Sequence, residues 1–179
     1  MNKHSIQAQV KLRLADGHSK TETFQRLSGL GVKDSALAQM IASYASPAHC
    51  QKYRGLTGAM VGIAWMQLLL AVGILLLLTA EQGSLVLFVL SALGAAFGYL
   101  FVWGFRHSRL WAYNISLITG ILNISKIVND FDASPLGNTI GAVIACVLLA
   151  FTLHVRGKLF PDVFLWGPRK MNGVYQFSS

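Results

Sequence analysis

Acidic side chains are scarce in this sequence: 7 Asp and Glu stand against 15 Lys and Arg, and only 12% of residues are charged. Each carboxylate lies in a loop, near a terminus or in the polar N-terminal region, as Asp16, Glu22, Asp34, Glu81, Asp130, Asp132 and Asp162. A metal-dependent lipid phosphotransferase needs several carboxylates together, and a proton-coupled exporter needs one embedded in the membrane; neither arrangement is present. Cysteine is as sparse. Cys50 precedes the long apolar part of the chain and Cys146 lies deep inside it, so there is no paired-thiol redox motif, disulfide framework or zinc spacing. His49, His107 and His154 follow no HxxxH or HExxH pattern, and we expect no metal and no cofactor. A glycine-rich phosphate loop after a strand and a Gly-x-Ser-x-Gly nucleophile turn are also missing. The sequence therefore argues against an enzyme.

What is plentiful is apolar length. With 54% apolar residues the chain departs from soluble-domain composition. Four runs, 57–80, 84–105, 110–128 and 136–155, each approach the ~20 residues that cross a roughly 30 Å hydrocarbon core as helix. No apolar segment suited to a cleavable leader precedes position 57, which makes the first run the expected insertion signal. Every Lys and Arg except Lys126 falls in the segment before 57, in the loop with Arg106 and Arg109, or in the tail with Arg156, Lys158, Arg169 and Lys170. The loops 81–83 and 129–135 hold only acidic charge. By the positive-inside rule both termini are cytoplasmic. The fold expected is an all-α integral membrane protein with four antiparallel transmembrane helices in an up-down bundle over 57–155, because the short connections force consecutive spans together.

Residues 1–46 are expected to form a cytoplasmic three-helix module. Ile6, Val10 and Leu14 recur at helical spacing before Gly17. Ser19 with Glu22 makes a capping box for a second helix bearing Phe24 and Leu27. Asp34 or Ser35 can cap a third, whose Leu37, Met40, Ile41 and Tyr44 share a face and which Pro47 should end. Phe24, Leu27, Leu37, Met40, Ile41 and Tyr44 are the candidate docking surface for a protein partner. The helix, Leu30-Gly31-Val32 turn and helix between positions 24 and 44 loosely resemble ubiquitin-associated-type modules and helix-turn-helix units. A DNA reader would need groove-facing polar side chains, but positions 36–44 supply only Gln39, so no nucleic-acid partner is expected. Positions 47–56 read as a linker. The tail, 156–179, carries Asn172-Gly173 between short β-prone arms, the signal for a β-hairpin.

Small residues recur at fourfold spacing in the apolar runs: Gly58 and Gly62, Gly94 and Gly98, Ser116 and Gly120, Gly137 and Gly141. Such pairs let helix backbones approach in lipid, within one chain or in a homo-oligomer. The third run also carries a polar stripe, because Ser116, Thr119, Asn123, Lys126 and Asp130 fall within an arc of about 120 degrees on a helix. Gln67, Ser91 and Cys146, near the middle of their runs, are its candidate partners. The stripe is either structural glue between helices or a wet functional surface; Lys126 with Asp130 alone is explained by an interfacial ion pair.

Three functions fit. The first is a non-enzymatic inner-membrane anchor or adaptor, in a bacterial bilayer, that presents the helical module to a protein partner. The second is a small oligomeric channel or transporter using the stripe. The third is a membrane immunity protein.

Overall fold

A computed structural model describes residues 3–129, 135–164, 167–171 and 174–177. It is mainly helical, with α1 (Lys3–Ala15), α2 (Lys20–Leu27), α3 (Asp34–Ala42), α4 (Pro47–Lys52), α5 (Arg54–Gln82), α6 (Leu85–Arg106), α7 (Leu110–Asn129) and α8 (Pro135–Leu159) followed by β1 (Val163–Phe164), β2 (Gly167–Pro168), β3 (Lys170–Met171) and β4 (Val174–Tyr175).

Three of these helices, α5, α6 and α8, are long and apolar enough to cross a membrane, which identifies the chain as suited to a bilayer. The fourth expected span forms a helix of the expected length in α7, yet it is not among the three. Its own polar residues, from Asn114 through Ser116, Thr119, Asn123, Ser125 and Lys126 to Asn129, dilute its apolarity. The ends of the long helices follow local chemistry. Gly83 takes the left-handed conformation (φ 60) and its N–H caps α5 by donating to the Thr79 carbonyl, while Pro135 opens α8, where its missing N–H costs nothing.

The helices pair as two antiparallel hairpins, α5 with α6 and α7 with α8. Within the first, a Cβ on Gly98 would come within 2.6 Å of the Leu68 side chain, and one on Gly94 within 3.8 Å of Leu75. Within the second, Gly120 faces Leu149 and Gly141 faces Ile127 in the same manner. Gly58 and Gly62 face open space, and Gly137 is exposed.

Where the hairpins meet is uneven. Buried residues of α5 are Met60 and Ala64, those of α7 are Leu110, Ala112, Tyr113 and Leu117, and those of α8 are Thr152, Val155, Arg156 and Leu159. With Val102, Gly104 and Phe105 of α6 they all lie near one end, hereafter the head end; only Ser91 is buried farther along. Tyr113 sits edge-on between Phe105 and Phe160, with ring centroids 5.0 and 5.9 Å away. At the α6–α7 turn a Cβ on Gly104 would meet the Ala112 Cβ at 2.6 Å.

At the head end, α1, α2 and α3 enclose a core of Ile6, Val10, Leu14, Leu27, Leu37 and Ile41. Ser19 caps α2 as its spacing suggests, its Oγ accepting from the Glu22 N–H at 3.2 Å. The start of α3 differs from expectation. Neither Asp34 nor Ser35 caps it: Lys33 is the N-cap residue without a side-chain bond, and Asp34 instead accepts from the Ser28 hydroxyl at 2.8 Å. Pro47 opens α4 at its first turn, so positions expected to form a linker are mostly helical, and α5 begins before position 57. The expected hairpin is present as β3 and β4, antiparallel with Met171 opposite Val174, and a second short ladder, β1 with β2, places Phe164 opposite Gly167. The Asn172-Gly173 pair, like Asp130 and Asp132, lies outside the described residues.

Candidate functional site

A groove along α7 and the junction between the two chain ends both gather polar side chains. The groove is lined on one side by Ser116, Thr119, Asn123 and Lys126, one per turn of α7, as their spacing dictates. Leu148, Leu149 and Thr152 of α8 form the facing wall, and Gln67 reaches in from α5. Its volume is about 520 Å³. Of the three candidate partners for the stripe, the structure brings only Gln67 to it. Ser91 is buried in α6 with its hydroxyl donating to the Leu87 carbonyl at 2.7 Å, and Cys146 is an exposed free thiol.

The groove's threonine hydroxyls are turned toward their own helices. Thr119 Oγ1 donates to the carbonyls of Ile115 (3.0 Å) and Ser116 (3.1 Å), and Thr152 Oγ1 donates to that of Leu148 at 2.8 Å. Such bonds satisfy the hydroxyl without joining two helices. The Asn123 and Lys126 side chains are exposed, and neither has a bonded partner among the described residues. An unpaired carboxamide is expensive in hydrocarbon. If α7 lies in a bilayer, this face has to meet water, a ligand or another polypeptide. Toward the head end this polar lining stops, giving way to the buried side chains of Met60, Leu117 and Val155.

Just beyond that stop lies a bond the sequence does not signal. Arg156, 5% exposed, donates from Nε to Asn114 Oδ1 at 2.9 Å and ties α8 to α7. The arginine belongs to the basic set that sequence reasoning assigned to topology; its burial could not be read from charge counts.

At the chain-end junction, Lys20 Nζ donates to Asp162 Oδ2 at 2.6 Å, with both side chains largely removed from solvent. Phe24 packs against Tyr175 and Phe177, with ring centroids at 5.4 and 5.6 Å. Phe177 also touches both apolar cores. Of the six candidate docking residues, Leu27, Leu37 and Ile41 are enclosed in the module, Phe24 faces the tail, and Met40 and Tyr44 are half-buried. Among the described residues, no group of three or more His, Cys, Asp or Glu stands close enough to hold a metal ion.

No family model, curated protein or solved structure matches the chain.

Proposed function

We propose that this protein is a small non-enzymatic membrane adaptor which crosses a bacterial inner membrane four times, keeps both termini in the cytoplasm and offers a folded head to a protein partner. The observation that carries the proposal is the joining of the two chain ends: α2 and the residues after α8 share a buried ion pair and a cluster of aromatic rings. A segment that served only for insertion would not need a folded core of its own. The basic residues at this end favour its cytoplasmic placement. The fourth crossing is α7, whose partnership along α8 and length of 20 residues suit a span despite its polar stripe.

Because Leu27, Leu37 and Ile41 are internal, the docking surface is better sought at apolar side chains that remain outside, Leu12 and Leu30, which are 65% and 43% exposed. The test is affinity isolation of the full chain in mild detergent, with Leu12→Glu and Leu30→Glu beside it. Both changes lie on the surface and should leave the module folded. A specific partner recovered with the parent chain and lost with either variant is the expected result, and unchanged recovery with both would count against the adaptor function.

The groove favours a second function, a small oligomeric channel or transporter in which a second copy completes the passage. In that case Asn123→Leu and Thr119→Val abolish flux into proteoliposomes while insertion is unaffected. Full flux in both variants would remove the stripe from any transport role.

A further inference from the structure

The head end contains a second recess, about 760 Å³ in volume, between α1, α3 and the turn joining α6 to α7. Its cations come from elements far apart in sequence, Lys11 from α1 and Arg106 and Arg109 from the turn, and no carboxylate lines it. Among the described residues the ion pairs are His18–Glu22, Lys20–Asp162 and Arg26–Glu22, so none neutralises these three cations. The turn is built to hold its shape. Ser108 adopts φ 47, the Arg109 N–H donates to the Gly104 carbonyl at 2.9 Å, and the Arg109 guanidinium lies 5.7 Å from the centre of the Trp103 ring. The start of α7, immediately after Arg109, adds the partial positive charge of a helix N-terminus.

We propose that this recess binds the phosphate headgroup of an anionic phospholipid. Three uncompensated cations converging on one cavity select a phosphate by charge. Position selects a lipid as its source, because the recess lies at the ends of helices suited to a bilayer. Trp103 and Trp111, each 39% exposed, stand beside it in the manner of interfacial aromatics. Leu100, one turn from Trp103 on α6, is exposed to receive an acyl chain. A headgroup seated there would bridge α1 and α3 to the α6–α7 turn and fix the head's orientation on the membrane.

The test uses the full chain in nanodiscs of phosphatidylcholine, with and without phosphatidylglycerol as a minor component, and native mass spectrometry to count retained lipid. Phosphatidylglycerol should be retained in preference to phosphatidylcholine. Lys11→Gln and Arg106→Gln should each weaken its retention about fivefold, the value of roughly one surface cation. Lys33→Gln, an equal loss of charge outside the recess, should leave it unchanged. Equal retention of the two lipids, or an equal effect of Lys33→Gln, would overturn the assignment. Inorganic phosphate and polyglutamate are added separately to the phosphatidylcholine sample. If either raises thermal stability in a way that depends on Lys11, and phosphatidylglycerol does not, the site belongs to a free anion or an acidic polypeptide and the lipid proposal fails.

Discussion

Lys20 and Asp162 form a buried ion pair at 2.6 Å although 142 positions separate them, and the pair joins the N-terminal helices to the segment that follows the last long helix. Removing the Lys20 ammonium takes a charge-assisted bond from a carboxylate in a site with little water. Lys20→Met should therefore cost about 1.5–3 kcal/mol of head stability. Replacing both partners by apolar residues should recover part of that loss, so the two single effects will not add. Thermal unfolding of the four forms in one detergent, followed by protease resistance of the N-terminal region, measures the coupling. Additive losses would show that the pair contributes nothing as a pair.

Thr23 presents the complementary case. It is 1% exposed and its hydroxyl has no hydrogen-bond partner among the described residues. Thr23→Val keeps the shape and removes a desolvated hydroxyl, and should stabilise the head by about 1 kcal/mol. A loss of stability in the same unfolding assay would mean that the hydroxyl has a partner in solution.

Local features were legible in the sequence because their causes are local. The cap at Ser19, the face formed by Ile6, Val10 and Leu14, and the one-sided stripe Ser116, Thr119, Asn123 and Lys126 all follow from helical spacing. The apolar runs at 57–80 and 136–155 fall within α5 and α8, and the run at 84–105 falls within α6 except for its N-cap residue Ser84. What spacing cannot reveal is which distant polar groups share a burial site. Lys20, Asp162 and Arg156 each look like surface residues when read alone, and Asn114 like an isolated polar residue in an apolar run. Pro47 shows another limit: proline fits the first turn of a helix as well as the stop after one, so the same residue ends α3 in one reading and begins α4 in the structure. Antiparallel connectivity likewise foretold neighbours along the chain, but not that the two hairpins would bury their shared surface chiefly at the head end.

The rings of Phe24, Tyr175 and Phe177 make a further prediction. Phe24→Ala removes the surface against which the tail packs and should speed amide hydrogen exchange at 174–177 by at least tenfold, a change worth about 1.4 kcal/mol in local opening. Exchange in the core of α3 should change less, because Leu37 and Ile41 have other neighbours. Equal acceleration in both regions would indicate that the tail and module open as one unit.

Glycine positions separate two kinds of close packing. A methyl group at Gly104 would meet the Ala112 Cβ at 2.6 Å, an atom fixed to its own backbone that cannot swing aside. A methyl group at Gly98 meets the end of the flexible Leu68 side chain at the same distance, and one at Gly62 meets nothing within 4 Å. Gly104→Ala should therefore cost about 1–3 kcal/mol by forcing α6 and α7 apart at their turn. Gly98→Ala should cost less because Leu68 can change rotamer, and Gly62→Ala should be neutral or favourable through helix propensity alone. Unfolding of the three variants in one detergent gives the ranking directly. If Gly62→Ala proves as damaging as Gly104→Ala, the open face of α5 is covered in the membrane by another helix, and self-association through Gly58 and Gly62 becomes the explanation to pursue.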